Sequence, residues 1–415
     1  MKAEILCVGT ELLLGDTVNT NAAYIARGLA RAGVAVYHQS VVGDNPRRLR
    51  EELERALKGS DLVITTGGLG PTYDDLTKET VAELFGKKLV LNEECLQKIR
   101  SFFERIGREM TKNNEKQAMM PEGAIVLDNP NGTAPGLIVE GKGKAVILLP
   151  GPPREMAAMF ESRVMPYLSN QSDKTLVSRN IHVFGMGESK VESILREKME
   201  KAENPTIAPY AKDGEMLLRV TASAKSAEEA RALTQPVVKE LCEILGDAVY
   251  GVDVADLQHA LVEELLKKGR KVATAESCTG GLVGKRITEV AGASGVFDCG
   301  VCSYANAIKE KLLGVRHETL EQFGAVSPQT AAEMAKGVRR ISGADIGVST
   351  TGIAGPQGGT PEKPVGLVYI GIDSDVMTTV VETRLSRGYP EEREMIRYLA
   401  SSRALHLALQ AARMF

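Results

Sequence analysis

The chain reads as an α/β protein built in three parts, and three features of its 415 residues carry that expectation. Short apolar runs alternate with amphipathic stretches of helical period, the pattern of βαβ units and a mostly parallel sheet. Several runs end directly in Gly/Pro turns, where open α/β sheets keep their binding sites. The pattern also breaks twice, at the polar stretch SNQSDK (169–174) and at GVDVAD (251–256). The divisions expected are 1–170, 171–252 and 253–415, consistent with a soft prior of roughly 150 residues per domain.

In order, AEILCVGT reads as a buried strand and NAAYIARGLARAG as an amphipathic helix closed by Gly33. VAVYHQSVVGD is the next strand, followed by a helix that Pro46 opens and Gly59 ends. DLVITTGG is a third strand running into a glycine turn, and KAVILLPGPPREM is a later one. The middle part alternates a strand, a GMGES turn, a helix, the strand GEMLLRVTASA and the helix AEEARALTQPVVKELCEIL. The last part opens with the helix LQHALVEELLKKG and returns to strand–helix alternation.

Composition narrows the function. A formal net charge of -3, from 51 basic and 54 acidic residues, argues against electrostatic capture of nucleic acid by the whole chain. Aromatics are 4% and Trp is absent, so stacking platforms for bases are scarce. No apolar run reaches the roughly 18 residues of a membrane span, and the N-terminus lacks the small-residue site of a signal peptide. Six cysteines without framework spacing fit a reducing cytoplasm, the expected location. Cys299 and Cys302 spell C-x-x-C inside a strand, where a buried structural pair is expected.

TTGGLGPTYDDLT (65–77) follows a strand and precedes a helix. Gly67, Gly68 and Gly70 let the backbone turn tightly and offer N–H groups to an anion. Asp74 and Asp75 are then placed to hold a divalent cation that neutralises phosphate, although Asp75 could instead cap the following helix. With GTELLLGD (9–16), NPNGTAPG (129–136) and LPGPPREM (149–156), this stretch resembles the N-terminal domain of the CinA family. That domain is related to the three-layer MoaB/MogA molybdopterin-binding fold, and the resemblance covers about the first 170 residues. It implies a pyrophosphatase acting on ADP-ribose with a divalent metal of the Mg or Co type. The ligand would lie against Gly9, Glu11, Asn21, Gly67, Gly68, Gly70, Thr77, Gly132 and Gly151, with Asp44, Asp74 and Asp75 on the metal. Molybdopterin is the related alternative ligand.

FGMGES (184–189) is similar to the glycine loop of KH domains, and a KH-like α+β connector is expected there in this family. Residues 173–253 hold 11 Lys/Arg against 14 Asp/Glu, which does not suit RNA, so a packing module is expected.

TAESCTGG (274–281) puts Ser277 and Cys278 on a strand-to-helix turn. Backbone N–H groups of a first helical turn can stabilise an oxyanion there, and a helix N-terminus lowers a thiol's pKa. A nucleophilic cysteine ordinarily needs a histidine. None of His259, His317 or His406 has a motif-like setting. A serine can use a lysine whose pKa is depressed, and Lys309 follows the next strand in SYANAIK. STTGIAGPQGGTPEKPVG (349–366) is a strand followed by a loop suited to wrapping a phosphate.

These three motifs in this order resemble the nicotinamide mononucleotide (NMN) deamidase domain found at the C-terminus of CinA proteins. The resemblance implies an α/β amidohydrolase domain with Ser277 as nucleophile, Lys309 as base and Tyr304 assisting. It places Thr279, Gly280, Gly281, Thr351, Gly352, Gly355, Gly358, Gly359 and Arg397 at the oxyanion or the nucleotide, needs no metal or organic cofactor, and leaves Cys278 as a core neighbour. Two positions depart from the family pattern. Ala305 stands where many relatives have serine, and SRGYPEEREMIR replaces G-D-R, so the phosphate arginine could be Arg387, Arg393 or Arg397. The partners expected are NMN, ADP-ribose and a second copy in a homodimer, without membrane or nucleic acid. The competing class is a non-enzymatic nucleotide-sensing adaptor tied to competence or DNA damage.

Overall fold

A computed structural model of the chain describes residues 1–171, 175–212 and 214–415, so the polar break expected at 169–174 lies partly outside the described residues. The first strands are β1 (Lys2–Val8), β2 (Ala35–Val42), β3 (Leu62–Thr66), β4 (Leu89–Leu91), β5 (Met119–Pro121), β6 (Ile125–Leu127), β7 (Gly136–Gly141) and β8 (Lys144–Leu149). Six of them form one sheet in the order β2-β1-β3-β8-β7-β6, while β4 and β5 pair separately. β1 runs parallel to β2 and β3, and β3 parallel to β8. β7 turns antiparallel to β8 because only Lys142 and Gly143 connect them, both with positive φ (55° and 74°), the geometry of a tight hairpin. The sheet is therefore mixed, parallel on one side and antiparallel on the other.

Helices cover both faces of this sheet through two apolar cores. Helix Thr20–Arg31 starts where the Asn19 side chain accepts from the Ala22 N–H, and helix Pro46–Gly59 where Asn45 accepts from Arg48. Both begin close to the expected places, because a capping asparagine and an N-terminal proline leave little latitude.

The middle strands are β9 (Thr175–Phe184), β10 (Thr206–Lys212), β11 (Glu215–Ala224) and β12 (Val249–Val252), in the order β10-β11-β9-β12. Helices Glu188–Lys201 and Ala227–Leu245 accompany them, giving the expected α+β module. The last strands are β13 (Val272–Glu276), β14 (Phe297–Cys302), β15 (Ile346–Gly352), β16 (Leu367–Ser374) and β17 (Thr378–Arg384), in the order β14-β13-β15-β16-β17. β13 is parallel to β14 and β15, and β16 is antiparallel to β15 and β17.

By packing, the chain forms two compact units: Met1–Ser178 with Thr221–Thr234, and Arg179–Val220 with Gln235–Phe415. In the second unit Phe184 and Tyr250 of the middle module share one core with helix Leu257–Lys268 and the buried length of helix Arg393–Met414. Among the described residues no helix is long and apolar enough to cross a membrane.

One expectation fails here. Cys299 and Cys302 are not a buried pair: Cys299 is half-buried and Cys302 exposed, and all six cysteines are free. The reason is topological, since β14 is the edge strand of its sheet.

Candidate functional site

Two sites form at the C-terminal ends of parallel strands, one in each compact unit. In the first, the turns after β1, β3 and β8 meet around a cleft of about 420 Å³. Its lining includes Gly9, Glu11, Asp44, Gly67, Gly68, Gly70, Asp74, Asp75 and Gly151 of the expected residues. The glycines are steric requirements: a Cβ on Gly67, at φ 107°, would lie 2.0 Å from the Val8 carbonyl oxygen.

Three expected ligand residues build the cleft from behind without lining it. The Asn21 amide donates to Thr66 Oγ1 at 2.9 Å and to the Gly151 carbonyl at 2.7 Å. Thr77 is fully buried and donates from Oγ1 to the Gly67 carbonyl at 3.0 Å. Gly132 leaves room for the Glu155 carboxylate, which a Cβ would strike at 2.2 Å.

Five carboxylates line the cleft, from Glu11, Asp44, Asp74, Asp75 and Glu155, and among the described residues no Lys, Arg or His does. Lys116 donates to the Thr72 and Asp75 carbonyls at 2.8 and 2.6 Å. Asp44 Oδ2 accepts from the Thr10 N–H and Oγ1, both at 2.9 Å. Asp75 Oδ2 accepts from the Thr72 N–H at 2.9 Å, closing its own loop. It does not cap helix Thr77–Leu84, whose N-cap is Leu76. Asp74 also accepts from Thr72 Oγ1, which holds its carboxyl below the ordinary carboxylate range. Glu155, absent from the sequence expectation, accepts from Asn129 Nδ2 at 2.7 Å, and burial pushes its carboxyl above the usual value. Among the described residues no three His, Cys, Asp or Glu side chains converge into a metal cage.

The second site lies where β13, β14 and β15 end. Ser277, Cys278, Tyr304, Lys309, Thr351, Gly352 and Arg393 line a cavity of about 220 Å³ with Ala325, Val326 and Ala354. Lys309 Nζ donates to Ser277 Oγ at 3.3 Å, to the Ser303 carbonyl at 2.7 Å and to the Tyr304 carbonyl at 3.3 Å. The lysine is 1% exposed, and desolvation lowers its pKa from the ordinary value. Among the described residues no carboxylate pairs with it, which would have kept it charged.

Cys278, beside the serine, takes the opposite state to that expected of a helix N-terminus. It is buried in the core, and burial pushes its thiol up to about 12. The helix itself starts only at Leu282, so the preceding turn carries Ser277. That turn is fixed by Glu276, which is 2% exposed. Its Oε2 accepts from Thr279 Oγ1 at 2.6 Å and the Val283 N–H at 3.0 Å, and its Oε1 from the Gly284 N–H at 2.8 Å. Sequence reasoning passed over Glu276, although a glutamate ending a buried strand was a signal of internal partners.

Other expected residues stand differently. Thr279 is fully buried and bonded to Glu276 and Thr350, so its side chain is structural. The Gly280 N–H already donates to the Ser277 carbonyl at 3.1 Å and is committed to the turn, not held for an oxyanion. Gly281, Gly355, Gly358 and Gly359 do not line the cavity. Thr351 lines it while donating to the Ala325 carbonyl at 2.6 Å. Arg397 donates to the Thr279 carbonyl at 2.9 Å and braces the turn. Arg393 is the arginine in the cavity wall, donating to the Gly355 carbonyl at 2.5 Å with the Tyr304 hydroxyl 3.4 Å away.

Residues 4–170 match the family model described as a probable molybdopterin binding domain, 178–251 the damage-inducible protein CinA KH domain, and 254–412 the CinA C-terminal domain. A CinA-like protein of Kosmotoga olearia is 53% identical over 411 residues, covering 99% of each chain. The crystal structure of CinA from Thermoplasma acidophilum is 40% identical, covering 40% of this chain and 96% of that one, with a TM-score of 0.37. A competence/damage inducible protein from Agrobacterium tumefaciens is 43% identical over 38% of this chain and 93% of its own, with a TM-score of 0.36.

Proposed function

The chain belongs to the CinA family, and from that premise we propose that it is a pyridine-nucleotide hydrolase with two active sites. The observation that carries the reading is the buried Lys309 Nζ 3.3 Å from Ser277 Oγ, without a counter-ion among the described residues. In its neutral form Lys309 removes the Ser277 proton as Oγ attacks the carboxamide carbon of NMN. The lysine, now protonated, delivers that proton to the departing nitrogen, and ammonia leaves an acyl-serine. Water, deprotonated by Lys309, then cleaves the ester to the nicotinate nucleotide and restores Ser277. Arg393 supplies positive charge for the substrate phosphate.

In the first cleft we propose cleavage of the ADP-ribose diphosphate. A diphosphate cannot sit against five carboxylates without a cation between them. A Mg²⁺-type ion takes one or two protein carboxylates and fills its sphere with water and phosphate oxygens, which suits this donor set. Asp44 and Asp74 would hold it, and it would supply charge neutralisation and an activated water. Asp75 closes the loop that carries them. The family model's description favours a second reading for this cleft, in which the ligand is molybdopterin.

The test is ammonia release from NMN and AMP release from ADP-ribose by the full chain, with Ser277→Ala and Asp44→Asn beside it. Loss of ammonia release alone in the first and of AMP release alone in the second is the expected result. No turnover of either substrate by the folded wild-type chain would sink the reading and leave a nucleotide-sensing adaptor.

A further inference from the structure

The loop that follows the glycine turn holds two like charges side by side. Asp74 and Asp75 are consecutive, and both accept from Thr72 Oγ1. A hydroxyl carries one hydrogen, so it cannot satisfy both carboxylates, and their repulsion works to open the loop. Something outside the loop has to hold it.

Lys116 does so. Its Nζ donates to the Thr72 carbonyl at 2.8 Å and to the Asp75 carbonyl at 2.6 Å, bracketing Tyr73 and Asp74. The ammonium also lies 3.7 Å from the Glu79 carboxylate. Lys116 lines an outer pocket with Thr72, Tyr73 and Asp74 and does not line the glycine cleft. It therefore reaches the two carboxylates through the backbone of their loop.

The segment that carries Lys116 is itself fixed. It is a short 3-10 helix, Lys112–Ala118, and Lys78 Nζ donates to its Lys116 and Gln117 carbonyls at 2.8 and 3.3 Å. Lys78 is 5% exposed and belongs to helix Thr77–Leu84, into which the loop leads. Asn114 donates to Gln117 Oε1 at 3.2 Å, and Gln117 reaches the wall of the cleft. Loop, helix, Lys78, backbone and Lys116 side chain thus close a ring.

We propose that Lys116 is the positioning residue of this loop: through the Thr72 and Asp75 carbonyls it keeps Asp74 and Asp75 aligned for a divalent cation. A cation that meets an ordered loop does not have to order it on binding. The positive charge of Lys116 opposes a second cation, but two carbonyls and Glu79 face the ammonium and offset its field. Alignment is the larger effect. The inference rests on reading Asp74 as a cation ligand, whereas the brace itself rests on the contacts alone.

The experiment uses the full chain, which contains no Trp. Tyr73→Trp therefore places a single fluorophore in the loop, and Tyr73 is 89% exposed, so no packing is disturbed. In that background Lys116→Met, Lys116→Gln and Lys116→Arg are compared by fluorescence anisotropy and by Mn²⁺ titration followed by electron paramagnetic resonance. Lys116→Met is expected to lower the anisotropy and weaken Mn²⁺ binding about tenfold, with the melting temperature little changed. Lys116→Arg should recover part of both. Lys116→Gln retains a donor and should fall between, and it serves if Lys116→Met does not fold. Unchanged anisotropy in the folded variants, Mn²⁺ binding that is unchanged or tighter, or no recovery by Lys116→Arg would overturn the inference. If the chain with Lys116 intact binds no Mn²⁺, the cation reading of the cleft falls, and the anisotropy alone decides the brace.

Discussion

The two sites occupy the same place in their sheets, the C-terminal ends of parallel strands, yet they are built on opposite principles. Around Ser277 the chain brings a serine hydroxyl, a desolvated lysine and a tightly bonded turn into a cavity of about 220 Å³. Around Gly67 it brings a glycine turn and five carboxylates into a cleft of about 420 Å³, with no basic side chain among the described residues of the lining. On the reading proposed above, the first carries its reacting groups within the chain, and the second is completed by a cation and a phosphate. Burial therefore does different work in the two: it tunes one amine near Ser277, whereas the cleft gathers carboxylates beside the Lys116 ammonium, which donates to the Thr72 and Asp75 carbonyls.

The largest effects should separate the two sites outright. Ser277→Ala is expected to lower ammonia release from NMN by about 10³-fold or more while ADP-ribose cleavage stays within about twofold. Chelation by EDTA should do the reverse, abolishing diphosphate cleavage and sparing ammonia release. Parallel assays of the two products decide it, and a treatment that depressed both equally would break the comparison.

The pH profile comes next. Lys309 works as a base only when neutral, and desolvation has lowered its pKa from the ordinary lysine value. The rate constant kcat/KM for NMN should therefore fall as pH drops through that lowered pKa and level off above it, below the ordinary lysine value of about 10.4. Lys309→Arg, which stays protonated, should be inactive across the whole range. A profile rising only near pH 10 would mean that the lysine is not tuned.

Glu276 tests whether the serine turn must be held rigidly. Its carboxylate accepts three hydrogen bonds from Thr279, Val283 and Gly284. Glu276→Ala leaves those donors unpaired in the core, and kcat is expected to fall about 10- to 100-fold with KM little changed. Glu276→Gln retains an acceptor and should recover part of the loss. Equal damage from both, or a change confined to KM, would remove Glu276 from the positioning role.

Much of this was legible in the sequence, for local reasons. Strand ends, the caps at Asn19 and Asn45 and the glycine turns follow from neighbours in sequence, and so does the order Ser277, Tyr304, Lys309 along successive turns. What was not legible depends on distant packing. Arg393 and Arg397 are one helical turn apart, and only the placement of helix Arg393–Met414 sets one in the cavity and the other on the Thr279 carbonyl. The commitment of the Gly280 N–H follows from the late helix start at Leu282. Ile99 and Phe102 carry no sequence signal of a cavity, because a helix lining a cavity and one covering a core have the same period. The exposure of Cys302 required knowing that β14 is an edge strand.

The smallest expected effect concerns the residue most easily mistaken for a nucleophile. Cys278 adjoins Ser277 on the same turn, and its thiol is pushed up to about 12 by burial. Near neutral pH it is a thiol, and the thiolate that attacks carbonyls is scarcely populated. Cys278→Ala should therefore leave kcat for NMN within about twofold. It removes a buried sulfur from the core beside Val283 and Ile287, so the cost appears in stability instead, about 1–2 kcal/mol by thermal melting. Iodoacetamide should give the same answer without mutation, labelling exposed Cys302 while Cys278 stays protected. If Cys278→Ala instead abolished ammonia release in a folded protein with an unchanged melting temperature, the serine would lose its role and the two neighbours would exchange places in the mechanism.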